Sequence, residues 1–142
     1  MKRLNVKSLA LSTAFIVILI WAAGLGIVRA QQPPTASPVK RNILLKQDLT
    51  IPGREGVMVT VELPPGVAEG RHTHPAELFV FVQEGAVTLE NEGQADKSLK
   101  AGDVFYIAPG KIHQVINHGT VTAKLAATFI TEKGKPLATP AK

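Results

Sequence analysis

No cysteine occurs among the 142 residues, so disulfides and thiolate metal ligands are both excluded. Core packing, helped by oligomerisation, has to supply the stability. Acidic residues are missing from the first thirty positions, whereas Lys2, Arg3, Lys7 and Arg29 all lie there. Convincing helical periodicity is missing after Gln31, and no internal repeat is present. Tyrosine occurs once, as Tyr106. A chain of this length holds one domain and no more.

The asymmetry of charge has a specific meaning. Residues 8–28 (SLALSTAFIVILIWAAGLGIV) carry no charge and follow a basic start. Val28-Arg29-Ala30 then offers compact residues at the positions a signal peptidase reads. This order of basic, apolar and small-residue segments is an export signal, cleaved after Ala30. The apolar run is also long enough to span a bilayer, so an uncleaved anchor in the inner membrane is the alternative. Either way the domain is expected outside the cytoplasm, in the periplasm if the segment is removed. Four of the 16 basic residues lie in this segment, leaving 12 against 11 acids, a net charge of +1. That balance offers no basic patch for nucleic acid.

Residues 31–41 begin QQPPTASPV and read as a linker. Residues 42–131 are strand-like throughout. Residues 57–63 (VMVTVEL) alternate and are stopped by Pro64-Pro65-Gly66. Further strands are expected over 78–82, 86–90, 104–107, 112–117 and 121–131, separated by Gly- and Pro-containing turns. Seven or eight short strands at this spacing indicate an all-β sandwich or barrel. Phe79, Phe81, Phe105 and Tyr106 are expected to be the large packing side chains. Residues 132–142 (EKGKPLATPAK) turn polar and Pro-rich again and are expected to be a loose or draped tail.

Four histidines are present, and three have meaningful spacing. His72 and His74 are two apart on extended chain, so they share a face and can chelate one ion. His113 starts another strand and can close the site from a neighbour. Neutral imidazoles suit Zn, Cu, Ni and Fe. An HxH pair alone is weak, but its surroundings are ordered. Gly66, then His72-x-His74 with an acid after it, then Gly85 form one half of a pattern. Gly102, then Pro109-Gly110-x-x-His113-x-x-x-Asn117, form the other.

GRHTHPAELFVFVQEGAVTL resembles the first motif of the small single-domain bacterial cupins, and AGDVFYIAPGKIHQVIN resembles the second. The resemblance spans Gly66 to Asn117. It implies a double-stranded β-helix, a jelly-roll-like barrel, with one divalent transition metal (Zn, Cu, Ni, Fe or Mn) held inside by His72, His74 and His113. The family's usual fourth ligand is a carboxylate seven residues before Gly85, where this chain has Leu78. Glu77 is one residue early, and a one-residue offset moves a side chain to the opposite face. Glu77 can reach the metal only if a bulge follows Pro75. A second, milder departure is Ala108, where the second motif commonly has Pro.

Asn117 shares the parity of His113 and is assigned to hydrogen-bonding a turn. His118 and Arg71 are assigned to the surface. Glu77 and Tyr106 are the candidates for proton transfer. The resemblance leaves three functions open: a metal-dependent enzyme on a small molecule with oxygenase, isomerase or lyase chemistry, a small-ligand binding or sensing module with or without a metal, and a scaffold. The apolar face carrying Phe79 and Phe81 needs cover, which a homodimer would supply.

Overall fold

Period-two alternation builds the core. The computed structural model describes residues 39–142. The expected export segment and most of the expected linker lie outside the described residues. Strands β2 (Arg54–Leu63), β4 (Ala76–Glu84) and β9 (Ala123–Glu132) each bury every second side chain over most of their length. These three are hydrogen-bonded neighbours, and their register stacks the buried residues into rungs. Val57, Phe129 and Leu78 form one rung; Val59, Ala127 and Val80 the next; Val61, Leu125 and Val82 a third. β-Branched residues dominate because they pack well on a pleated surface. Fully burying each Val or Leu contributes about 1.5–3 kcal/mol against leaving it exposed.

Two five-stranded antiparallel sheets enclose this core. The first adds the edge strands β1 (Lys40–Asp48) and β7 (Val104–Ile107), in the order β1-β2-β9-β4-β7. The second comprises β3 (His72–Thr73), β5 (Ala86–Asn91), β6 (Lys97–Lys100), β8 (His113–Ile116) and β10 (Thr139–Pro140), in the order β10-β3-β8-β5-β6. Its inward residues include Val87, Leu89 and Val115.

Two positions fix the connections. Gly85 turns β4 into β5 at φ 76°, and a Cβ there would lie 3.0 Å from Ala123 Cα, so only glycine fits. Asn117, fully buried, ends β8. Its side-chain amide donates to the carbonyls of Leu63 and Val121, and its Oδ1 accepts from Gly119 N–H, all at 2.8 Å. Its assignment to turn bonding is therefore correct.

Two expectations need correction, and the structure decides a third. The strand begins at Lys40, so residues 40 and 41 belong to β1 and not to the linker. Phe79, Phe81 and Tyr106 are 50%, 44% and 48% exposed, because alternation turns them outward. Phe129 takes the place expected of them in the core. Of the two readings of residues 132–142, the structure shows the draped one: β10 pairs with β3 through Thr139↔Thr73 and Pro140↔His72.

Candidate metal centre

The histidines come together through one short pairing. His72 and His113 are direct partners across β3 and β8, and His74 follows two residues after His72. Partners opposite each other, and residues two apart, share a face. The three rings accordingly meet, with centroids 4.5–4.9 Å apart. Gly110 N–H donates to the His74 carbonyl at 2.8 Å, tying the turn before β8 to the chain carrying His74. His74 and His113 are buried, and His72 is half-buried.

Each Nδ1 faces a backbone carbonyl. His72 Nδ1 lies 2.7 Å from Gly70 O, His74 Nδ1 2.5 Å from Leu137 O, and His113 Nδ1 3.0 Å from Lys111 O. A carbonyl can only accept, so this network assigns the proton to Nδ1 in all three rings. Each neutral ring then presents its Nε2 as a lone pair. The Nε2 atoms of His72 and His74 are 3.1 Å apart with no proton to share between them. Two lone pairs facing at that distance repel unless a cation or an added proton lies between them.

Burial resists the proton. It pushes His74 down from 6.5 to about 4, with the Leu137 carbonyl opposing the shift and the neighbouring His72 and His113 adding to it. Burial lowers His113 in the same direction. The donor set therefore fits a metal. One ring nitrogen from each histidine lies within 4.8 Å of the others, and each opposite nitrogen is held by a carbonyl, the outer-shell arrangement that orients ligating histidines. Tetrahedral Zn–N bonds of about 2.0–2.1 Å set the nitrogens roughly 3.3 Å apart, so His72 Nε2 and His74 Nε2, now at 3.1 Å, would part slightly while the wider separations, up to 4.8 Å, would shrink.

Around the cluster is a chamber of about 90 Å³. Its walls are mainly apolar, including Val59, Leu78, Val80, Val115, Leu125 and Phe129. The Phe129 ring meets His74 edge-on, with centroids 5.0 Å apart. Arg41, Glu69, Leu137 and Ala138 complete the lining.

Glu77 is not among the residues brought together. The register of β4 against β9 runs unbroken from Ala76 to Val82, so no bulge follows Pro75. Leu78 points inward and Glu77 outward, where it accepts a hydrogen bond from Tyr106 Oη. That carboxylate raises the Tyr106 pKa above its ordinary value. Both proton-transfer candidates thus lie on the far side of the first sheet from the histidines. Arg71 is exposed and paired with Glu92 at 2.8 Å, and His118 is exposed in the loop after β8, both at the surface as expected.

Sequence reasoning missed Arg41, Glu69 and Leu137. Arg41 and Leu137 lay in segments read as linker and tail. Only the pairings of β1 and β10 bring them to the site, and local sequence carries no signal of those long-range pairings.

Comparison with known proteins agrees with this architecture. The chain is 38% identical over 89 residues to germin-like protein subfamily 2 member 1 of Arabidopsis thaliana, covering 57% of this chain and 41% of that protein. It is 31% identical over 71 residues to an oxalate-binding protein of Thermotoga maritima, covering 49% and 58%. It thus spans less than two thirds of either relative. A double-stranded β-helix protein of Klebsiella pneumoniae superposes with a TM-score of 0.60 at 22% identity, covering 78% of this chain and 90% of that one, a likeness of fold. The cupin domain model matches residues 59–130, half of the chain, and the chain belongs to the cupin family.

Proposed function

We propose that this cupin holds one divalent transition metal at His72, His74 and His113 and uses it to act on a small molecule. The observation that carries this reading is the convergence of three imidazoles whose Nδ1 atoms all face backbone carbonyls. Three neutral nitrogens without a carboxylate favour Zn, Cu, Ni or Fe over Mn. A bound metal would supply Lewis-acid or oxygen chemistry. The protein's own residues exclude water through the apolar walls, hold each ring by its Nδ1, and through burial lower the pKa of His74 and His113. The oxalate-binding relative supports a small ligand of the kind its name gives.

One observation favours a second reading, a binding module without turnover. Among the described residues, Glu69 is the only carboxylate lining the chamber, and it is paired with Arg41. Proton transfer would then fall to water on the metal. Elemental analysis of the purified protein beside a His72→Ala/His74→Ala double variant tests the metal. About one equivalent in the parent and none in the variant supports the metal site; no metal after reloading removes the metal-dependent enzyme and leaves a metal-free binding module. Catalytic turnover in a substrate screen separates the enzyme from the binder.

We also propose export, supported by the order of segments in residues 1–30. N-terminal sequencing of protein from the periplasm should find Gln31 first; an intact Met1 on a membrane-bound chain would indicate the anchor.

A further inference from the structure

Edge strand β1 is exposed along its length, yet one of its residues reaches the site. Arg41 is the direct partner of Val61, a buried inward residue of β2. Opposed residues in an antiparallel pair share a face, so Arg41 stands on the inner side of the sheet. It lines the histidine chamber and also an outer vestibule of about 360 Å³ with Glu69, Arg71 and His72. Arg41 therefore sits where chamber and vestibule join.

Its guanidinium is oriented but not used up. One Nη2 donates to Glu69 Oε1 at 2.9 Å, and the Glu69 side chain is only 9% exposed. A guanidinium carries five N–H donors in a planar fork. The others have no protein partner among the described residues. Leu78 stands where a carboxylate ligand would, so among the described residues Glu69 is the one carboxylate lining the chamber, and it is engaged by Arg41.

We infer that Arg41, positioned by Glu69, recognises a small carboxylate ligand whose charged group lies between the histidine cluster and the guanidinium fork. The inner end of that ligand rests on the proposed metal; the outer end rests on Arg41. A carboxylate fits better than a phosphoryl group. The fork serves the two oxygens of a carboxylate in bidentate fashion, while the Val, Leu and Phe walls offer no donors for a third oxygen. Size narrows the class further. The chamber of about 90 Å³ is smaller than the roughly 150 Å³ cavity that accepts benzene. The part of the ligand nearest the histidines is thus a few heavy atoms without an aromatic ring, and anything larger extends into the vestibule.

The test is calorimetric titration of the metal-loaded protein with oxalate, its neutral isostere oxamide, and inorganic phosphate. Metal content is measured on the same samples. The parent should bind oxalate and neither of the others. Arg41→Gln should weaken oxalate at least tenfold with metal content unchanged, and Arg41→Lys should recover only part of the loss, because an ammonium lacks the fork. Retained metal shows that each variant is folded at the site. Equal oxalate affinity in parent and Arg41→Gln would overturn the inference, as would equal binding of oxamide or tighter binding of phosphate. If the parent takes up no metal, the metal reading fails by itself. The same titration of metal-free protein then decides: oxalate binding that depends on Arg41 keeps the inference, and its absence ends it.

Discussion

Leu78 and Glu77 are adjacent, yet only one of them faces the histidines. Leu78 is 3% exposed and lines the chamber, while Glu77 bonds to Tyr106 on the outer face. Glu77→Ala should therefore leave metal stoichiometry unchanged and alter stability by less than about 0.5 kcal/mol, as is usual for surface substitutions. Leu78→Glu should do the opposite. Without metal it buries a carboxylate among Val and Leu and should lower the urea-derived stability by about 2–5 kcal/mol. With metal it offers a fourth, anionic ligand and should raise the affinity for Mn relative to the parent. Competition titrations would check this; an unchanged Mn affinity in a folded variant would show that position 78 cannot reach the ion.

His74 makes a second prediction at this scale. Its pKa is about 4 in the folded chain against 6.5 for an ordinary histidine, chiefly through burial. Between those values the unfolded state binds more protons, so stability rises with pH. The contribution is fully present above 6.5 and is lost as pH falls toward about 4. His113 acts in the same direction. The urea midpoint of the metal-free protein should fall steadily from pH 7 to 4.5, and His74→Gln should flatten that slope. A midpoint independent of pH in the parent would contradict the burial of neutral rings. The three histidines were legible in the sequence because parity and spacing are local properties of extended chain. The inward turn of Leu78 followed from the same parity.

At the scale of elements, legibility depended on whether side chains or backbone did the organising. β2, β4 and β9 could be read directly, since each buries one face of an apolar alternation. β10 could not. Its residues are polar or proline, and it is held through backbone pairing to β3. β1 was equally obscure, because KRNILLKQD carries no clean alternation and its register against β2 shifts between Ile43 and Leu45. The last eleven residues nevertheless matter to the site. Leu137 supplies the carbonyl that holds His74 Nδ1 and packs partly buried against the core. A chain ending at Glu132 should keep the three ligands and lose that acceptor. Removing such an outer-shell partner typically costs about 10–100-fold in metal affinity. A shortened chain that binds metal as tightly as the parent would show that the other two carbonyls suffice to orient the cluster.

At the scale of the whole molecule, the described residues leave an apolar face uncovered. Across the outer side of the first sheet, Met58 and Phe79 both oppose Thr128, and Phe79 also opposes Tyr106. The Phe79 and Tyr106 rings are 5.3 Å apart. With Phe81 and Val104 beside them, these side chains form a contiguous exposed apolar surface. Scattered exposed hydrophobics are normal, but a cluster of this kind marks an interaction surface. We propose that a second copy covers it, forming the homodimer expected from the sequence. A two-fold arrangement places the same patch on both sides of the interface, which suits a surface made of one sheet face. The charges Lys40, Arg41 and Lys46 along β1 work against the other route, edge-to-edge pairing of that strand. Phe79→Glu is the discriminating change. Phe79 is half exposed within one protomer, so the substitution should affect monomer stability by about 1 kcal/mol or less. In a dimer it would place a carboxylate in the apolar contact and should weaken association by 2 kcal/mol or more, about thirtyfold in the dissociation constant. Sedimentation equilibrium at micromolar concentration should show a dimer for the parent and mainly monomer for Phe79→Glu. A parent that sediments as a monomer would leave the face for another partner, and a variant that remains fully dimeric would move the interface elsewhere on the barrel.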